Sequence, residues 1–502
     1  MRKTAFALVL ASSAMMASPL LAEDEMTGFD QWAEAARQEW QIPGFSVAVV
    51  KGDKTIYAKG FGVKDIRTND PMTADTVSLI ASTTKAFASM SLAMLVDEGK
   101  LAWDDRVIDH LPNWRVSDPY VTRETRVGDL LTHNTGFEAN NSPWVRGLST
   151  DETLARMKDL PQANSFRSRY QYNNLAYLVA GEVVEAISGL SFGEFVKQRI
   201  WQPLGMSDSF YRWDNIKDHP RLGGAHGMRD DESPYPMNYN SIEESGAAGM
   251  LNSTVEDHAK WLRFILARGV WNGERLVSEE RFDEIFTPRI VFGGPSYPAA
   301  GETDGSFFTY GYGWFIQNFE GRTIAFHTGS MGGLNAINAV IPEEGVGMVA
   351  LFNREASELR HAMMYEVLDR FTDGHSGKNW STDIHAIYSP RWDRGEARYK
   401  EFYNNPRPDA AASLAFEGYA GTFTNPVVGD VTVSVGEDGV LKLDMPPKLS
   451  YRLDHHHHDV FLAWDINQPV DVYYSSTVNF SLDNDGKVEA LEVRGDTFKR
   501  VE

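Results

Sequence analysis

Near Thr372 the sequence changes its grain. Before that point apolar residues recur with helical and strand periods in turn, and beyond Gly418 only short alternating strands with turns remain. One layered core cannot satisfy both patterns, and 502 residues exceed what a single core organises, so at least two folding units are implied. In the first, Asp30 to Glu39 is amphipathic, and Phe45 to Val50 and Thr55 to Phe61 flank Lys51-Gly52-Asp53-Lys54 as a β-hairpin. Leu175, Leu178, Val179, Val183, Ala186 and Ile187 recur at helical spacing up to Gly189, a C-terminal cap. Strand-like runs return at Arg322 to Phe326, Ala336 to Ile341 and Val346 to Phe352, followed by a helical segment, Glu355 to Phe371. Strands at both ends with helices between them predict an α/β (α+β) domain over residues 23–372 whose sheet is completed by distant parts of the chain. Residues 373–412 are polar, with Gly374, Gly377, Pro390, Pro406 and Pro408, and read as a linker. Residues 413–502 read as a small all-β domain, with strands at Val431 to Val435, Val440 to Leu443, Val470 to Tyr474, Val478 to Leu482 and Val488 to Arg494.

Residues 1–22 read as a secretion signal: Arg2 and Lys3 make a basic start, Ala5 to Met16 is mostly apolar, and Pro19 to Ala22 offers a cleavage site. No later stretch holds about 18 consecutive apolar residues, so an exported, periplasmic or secreted protein is expected, with no membrane insertion after signal removal. The chain has no cysteine, which excludes disulfides, thiol catalysis and Cys-ligated zinc. Its net charge of −22 repels phosphate backbones, so nucleic acid is discarded as a partner.

Two motifs compete for a nucleophile. Gly189-Leu190-Ser191-Phe192-Gly193 fits the Gly-x-Ser-x-Gly elbow, but that motif needs a strand before it, and here a helix precedes it. Ser191 with Glu194 reads instead as a capping box opening the next helix. The other candidate, Ser82-Thr83-Thr84-Lys85, is the only Ser-x-x-Lys in the chain. Three residues apart on a helix, the two side chains lie on one face with Cβ atoms about 5–6 Å apart. A lysine amine there can take the hydroxyl proton only if desolvation or a nearby cation lowers its pKa.

Tyr172-Asn173-Asn174 follows, just before a helix, and His327-Thr328-Gly329-Ser330 lies at the end of a predicted strand. Ser-x-x-Lys, Tyr-x-Asn and a basic-Thr-Gly element in this order resemble the three signatures of the serine beta-lactamase and penicillin-binding-protein-like hydrolases. These include class C beta-lactamases, D-Ala-D-Ala carboxypeptidases, D-aminopeptidases and related esterases. Leu101-Ala102-Trp103-Asp104-Asp105, Leu130-Leu131-Thr132-His133-Asn134-Thr135-Gly136 and Pro203-Leu204-Gly205-Met206 agree with that family. The tail, with Gly418-Tyr419-Ala420-Gly421-Thr422-Phe423 and Gly429-Asp430-Val431, resembles the accessory β-domain found behind such enzymes. The resemblance implies a beta-lactamase-like fold, an antiparallel sheet with a helical subdomain. It also implies that Ser82 is acylated, that Lys85 and Tyr172 share the proton, and that Asn174 positions lysine and substrate. The backbone N–H groups of Ser82 and Ser330 would form the oxyanion hole, and His327, Thr328 and Gly329 would bind substrate. The loop Ser245-Gly246-Ala247-Ala248-Gly249 resembles a segment lining the family's pocket, and reads equally as a plain turn.

Where many penicillin-directed relatives carry lysine this chain has His327, mostly neutral above pH ~6.5, which favours esters or peptides over penicillins. His455-His456-His457-His458 invites a metal, but in an extended strand alternate side chains face opposite ways, so no metal site is assigned. Nucleotide-binding glycine motifs are missing, and no cofactor is expected. The expected partner is a small-molecule or peptide substrate. The expected activity is hydrolysis of an ester or amide through an acyl-serine. The alternatives are a D-amino-acid-directed peptidase or beta-lactamase and, from another class, a non-catalytic penicillin-binding or sensing protein.

Overall fold

The computed structural model describes residues 25–501, apart from 230–232, 240–242, 293, 295–296, 304, 306, 356, 373–375, 404–406, 408–409 and 468–474. The expected signal at 1–22 and the expected strand Val470 to Tyr474 lie outside the described residues.

Nine strands form one antiparallel sheet: β1 (Gly44–Lys51), β2 (Lys54–Asp65), β3 (Asp70–Pro71), β4 (Ile290–Val291), β5 (Phe308–Tyr310), β6 (Phe315–Phe319), β7 (Arg322–Met331), β8 (Leu334–Ile341) and β9 (Val346–Phe352). Their spatial order is β4-β5-β6-β7-β8-β9-β1-β2-β3, so the N-terminal hairpin completes a sheet begun by the late strands. Phe45 pairs with Phe352 and Lys51 with Val346 across that seam. The central strands are buried throughout because helices cover both faces. Alternation sends Phe45, Val47, Val49 and Phe326 to a core shared with α1 (Phe29–Glu39) and α6 (Leu359–Asp369). Ala48, Val50, Ala325 and Leu351 face the opposite core, built around α2 (Thr84–Asp97), α3 (Asn174–Ser188) and α5 (Val255–Leu266). Helix α2 is buried on every side from Thr84 to Leu95, as a helix apolar all round must be. No single described helix is long and apolar enough to cross a membrane.

The segment expected to be a linker is largely helical. Helix α7 (Trp380–Tyr403) buries Trp380, Ile384 and Tyr388 against the first core. Its polar composition conceals an apolar stripe at i, i+4 and i+8, enough to hold one face of a helix.

Beyond it, β10 (Gly421–Asn425), β11 (Gly429–Val435), β12 (Leu441–Met445), β13 (Leu449–His457), β14 (Val460–Asp465), β15 (Ser475–Leu482), β16 (Val488–Val493) and β17 (Asp496–Arg500) close into a barrel. Inward Val431 and Val433 alternate with outward Asp430 and Thr432. Closure by β10–β17 pairing removes the open edges a small sheet would expose. The histidine tract lies in β13, across a bulge between His455 and His457. His456 is buried, stacks on Phe402 of α7 at 4.5 Å and contacts the Phe402 carbonyl at 2.6 Å. The tract fastens the connecting helix to the barrel, and among the described residues no three His, Asp or Glu groups converge as metal ligands.

Candidate active site

The chain enters the site through β7 and a 3-10 turn, Ala81–Thr83, that feeds α2. Ala81 sits at φ 45°, a left-handed setting that costs a non-glycine residue of order 1–3 kcal/mol and presents Ser82 at the mouth of the helix. Ser82 is half-buried, while Lys85, one turn on, is completely buried. Lys85 Nζ lies 3.0 Å from Ser82 Oγ, 2.8 Å from Asn174 Oδ1 and 2.8 Å from the Ala248 carbonyl. Burial pushes its pKa well below the ordinary 10.5. A neutral amine has two N–H donors and one lone pair. The two carbonyl-type acceptors take both donors, which leaves the lone pair facing the Ser82 hydroxyl.

The Tyr172 ring centroid lies 4.9 Å from Lys85 Nζ, and Ser82 is near enough to influence the acidity of its phenol. Burial drives the phenol well above its ordinary value, with Ser82 acting in the other direction. Tyr172 and Asn174 are fixed from below by Asn173, which caps α3 by accepting from Ala176 N. Asn173 also donates its backbone N–H to His133 Nδ1 at 3.0 Å and its side-chain amide to the carbonyls of Phe137 and Glu138. His133 is buried at φ 58° with its ring 4.3 Å from that of Tyr172. It is the sequence stretch Leu130 to Gly136 that carries this support.

The third motif closes the other side. A Cβ on Gly329 would sit 2.3 Å from the Ile80 carbonyl and 3.1 Å from Ser82 N, so the end of β7 lies edge to edge with the nucleophile turn. This juxtaposes the backbones of Ser82 and Ser330, the two expected oxyanion donors. Thr328 Oγ1 is 2.6 Å from Tyr297 OH. The His327 imidazole, expected to bind substrate, is fully buried in the protein. Nδ1 meets the Thr328 carbonyl at 2.7 Å and Nε2 meets Tyr310 OH at 2.9 Å, so both nitrogens are occupied within the protein. Burial, with Lys85 nearby, lowers its pKa to about 3, and it is neutral. The fixed cation near this motif is Arg360, buried on the other face of β7, which donates to the Gly329 carbonyl at 3.1 Å and to Ser330 Oγ. Burial alone would raise its partner Glu358, but Arg360 and His361 hold that carboxyl at about 2.

Ser191 is exposed and caps the helix Phe192–Val196, accepting from Glu194 N at 3.3 Å. Only half of the expected capping box forms, because the Glu194 carboxylate accepts from Tyr211 and Gln198 instead. Asn141 and Arg360 were not singled out by the sequence, and Ala248 was named only as part of a loop. Ala248 falls within the loop Ser245–Gly249, whose last residues form the Lys85 acceptor, and Asn141 Oδ1 accepts from Asn174 Nδ2 at 3.1 Å.

The beta-lactamase family model matches residues 29–370, and a domain family of unknown function, DUF3471, matches residues 405–501. An unguisins hydrolase of Aspergillus campestris is 26% identical over 442 residues, covering 83% of this chain and 80% of the relative. Penicillin-binding protein 4 of Amycolatopsis lactamdurans is 28% identical over 330 residues, covering 64% of this chain and 83% of the relative. Among solved structures, the octameric penicillin-binding protein homologue from Pyrococcus abyssi shares the fold with a TM-score of 0.61 at 23% identity, covering 94% of this chain and 99% of that one. With the family model spanning the sheet, the nucleophile turn and all three motifs, the chain belongs to the beta-lactamase and penicillin-binding-protein family of serine hydrolases.

Proposed function

We propose that this hydrolase cleaves esters or peptide-like amides through an acyl-Ser82 intermediate, and that it acts after export. The observation that carries the reading is the fully buried Lys85 amine, its pKa pushed down by burial and its Nζ within hydrogen-bond distance of Asn174 Oδ1, the Ala248 carbonyl and, at 3.0 Å, Ser82 Oγ. Lys85 takes the hydroxyl proton as Oγ attacks the carbonyl carbon, and the backbone N–H groups of Ser82 and Ser330 receive the oxyanion. The proton passes through Tyr172 to the departing alcohol or amine, and water then releases the acid by the same route. The neutral, enclosed His327 supports uncharged acyl groups over substrates anchored by a carboxylate at the third motif. The Aspergillus relative is named as a hydrolase of unguisins, which supports a hydrolytic reaction here.

The test is fluorophosphonate and penicillin labelling with the adduct located by mass spectrometry, followed by chromogenic esters and D- and L-aminoacyl anilides. Turnover of an ester or anilide with the adduct on Ser82 is expected. Labelling with no turnover would instead favour a penicillin-binding sensor. The N-terminal mass of protein recovered from a secreting host tests export.

A further inference from the structure

Two sets of contacts between the barrel and the catalytic domain each lead to one partner of the Lys85 amine. On the first route, Arg146 is buried and donates to the carbonyls of Asp430 in β11 at 2.7 Å, and of Pro446 at 2.7 Å and Val428 in barrel turns. Lys448 N donates back to the Arg146 carbonyl at 3.1 Å. In the same segment the Asp496 carboxylate, at the β16–β17 turn, accepts from Asn140 Nδ2 at 2.7 Å and from Ser142 Oγ at 2.5 Å. Asn141, between those two donors, holds Asn174, which holds Lys85. On the second route, Lys448 Nζ pairs with Glu244 at 2.7 Å, in the turn Glu243–Ala248 whose last carbonyl accepts from Lys85. A guanidinium buried among carbonyls and a carboxylate gripping two neighbouring side chains are geometrically demanding contacts, unlike scattered surface pairs.

We propose that the barrel, a domain without an assigned role, is a brace for the acylation site. It fixes the segment 140–146 and the turn 243–248, and through them both acceptors that orient the Lys85 amine. Arg146, Asp496 and Lys448 are positioning residues. This rests on the acyl-serine reading for its catalytic consequence, but the bracing itself is a mechanical property measurable without turnover.

The test uses the full chain and two readouts. Hydrogen exchange should quicken in 140–147 for Asp496→Ala and Arg146→Gln, and in 243–250 for Lys448→Ala, with the barrel strands unchanged. Fluorophosphonate acylation should slow about tenfold for Asp496→Ala, the scale of one displaced buried hydrogen bond. Asn141→Ala should slow it equally, and the double variant should be no slower than either, because both act along one path. Lys448→Arg should retain the rate that Lys448→Ala loses. Multiplicative losses in the Asn141 cycle, or unchanged acylation with only a lower melting temperature, would overturn the proposal and leave the barrel a stability element. If the wild type takes no label, the acyl-serine reading falls, while the exchange data still decide whether the barrel braces these loops.

Discussion

Lys85 and Tyr172 begin from similar ordinary pKa values, near 10.5 and 10, and the same burial drives them apart. Removing water disfavours whichever form is charged, so the amine gives up its proton more readily while the phenol holds its own more tightly. Acylation therefore needs neutral Lys85, and its rate should rise with pH along a limb lying below the ordinary lysine value. Asn174→Asp puts a carboxylate 2.8 Å from Nζ, stabilises the ammonium and should move that limb to higher pH, slowing acylation at pH 7. A pH series of fluorophosphonate acylation rates checks this, and an unmoved limb would remove Lys85 from the role of base. Tyr172→Phe should slow acylation about 10²–10⁴-fold, and Lys85→Ala at least as much, with the double variant little worse. Stopped-flow acylation of the four proteins decides it, since multiplicative losses would mean two independent roles. Ser82→Ala should abolish labelling, whereas Ser191→Ala should keep it and lose only a cap, about 0.5–2 kcal/mol in a denaturation curve. Ser82, Lys85, Tyr172 and Asn174 were legible because short-range spacing and motif order carry them. His327 was legible as a motif residue but not in its orientation, which depends on which face of β7 it occupies. The loop Ser245 to Gly249 was legible by resemblance, but which of its carbonyls reaches Lys85 across 163 residues was not, because no local pattern marks a backbone acceptor.

At the scale of elements, what sequence period could reveal was the hairpin β1–β2, helix α3 with its Gly189 stop, and the late strands β7 to β9. Each is long or strongly patterned. Helix α7 escaped because Pro390 and charges dilute its stripe, and barrel closure escaped because it is fixed by pairing β10 with β17, far apart in sequence. The packing of β7 on the nucleophile turn was equally invisible, yet it yields a sharp expectation. Gly329→Ala would drive a methyl group to 2.3 Å from one backbone carbonyl and 3.1 Å from Ser82 N, and neither atom can swing away as a side chain could. The strand and the turn must separate. A misplacement near 1 Å costs about 10²-fold in rate, so labelling should fall by that order. Far-ultraviolet circular dichroism should stay native, because the strand pairing of β7 with β8 is not touched. Wild-type labelling in this variant would show that β7 does not set the oxyanion geometry.

Across the whole molecule, the catalytic domain keeps several ionisable groups uncharged, and this makes its stability depend on acid. His258 and His327 are both fully buried and lowered to about 3, by burial first in each case. Between about pH 6.5 and 3 the unfolded chain binds protons at these two positions that the folded chain refuses. Their contribution is therefore complete above the ordinary histidine value and is lost as pH falls toward 3. Glu358, held at about 2, adds a loss in the same direction once pH drops below its ordinary 4.5. Glu182 opposes them: burial, with Glu185 nearby, raises it to about 7, so it costs stability as pH rises from 4.5 through 7. Two histidines and Glu358 outweigh that one carboxyl at the acid end, and the catalytic domain should lose stability steeply below pH 6. His258 offers a clean test because it lies outside the catalytic contacts, its Nε2 3.1 Å from Asn338 Nδ2. His258→Gln keeps an acceptor for that amide and removes the titration. Denaturation of wild type and variant between pH 6.5 and 4 should differ in slope by one proton, about 1.4 kcal/mol per pH unit. Parallel slopes would mean that His258 is solvated or charged in the folded protein, and that the acid sensitivity of this core has another source.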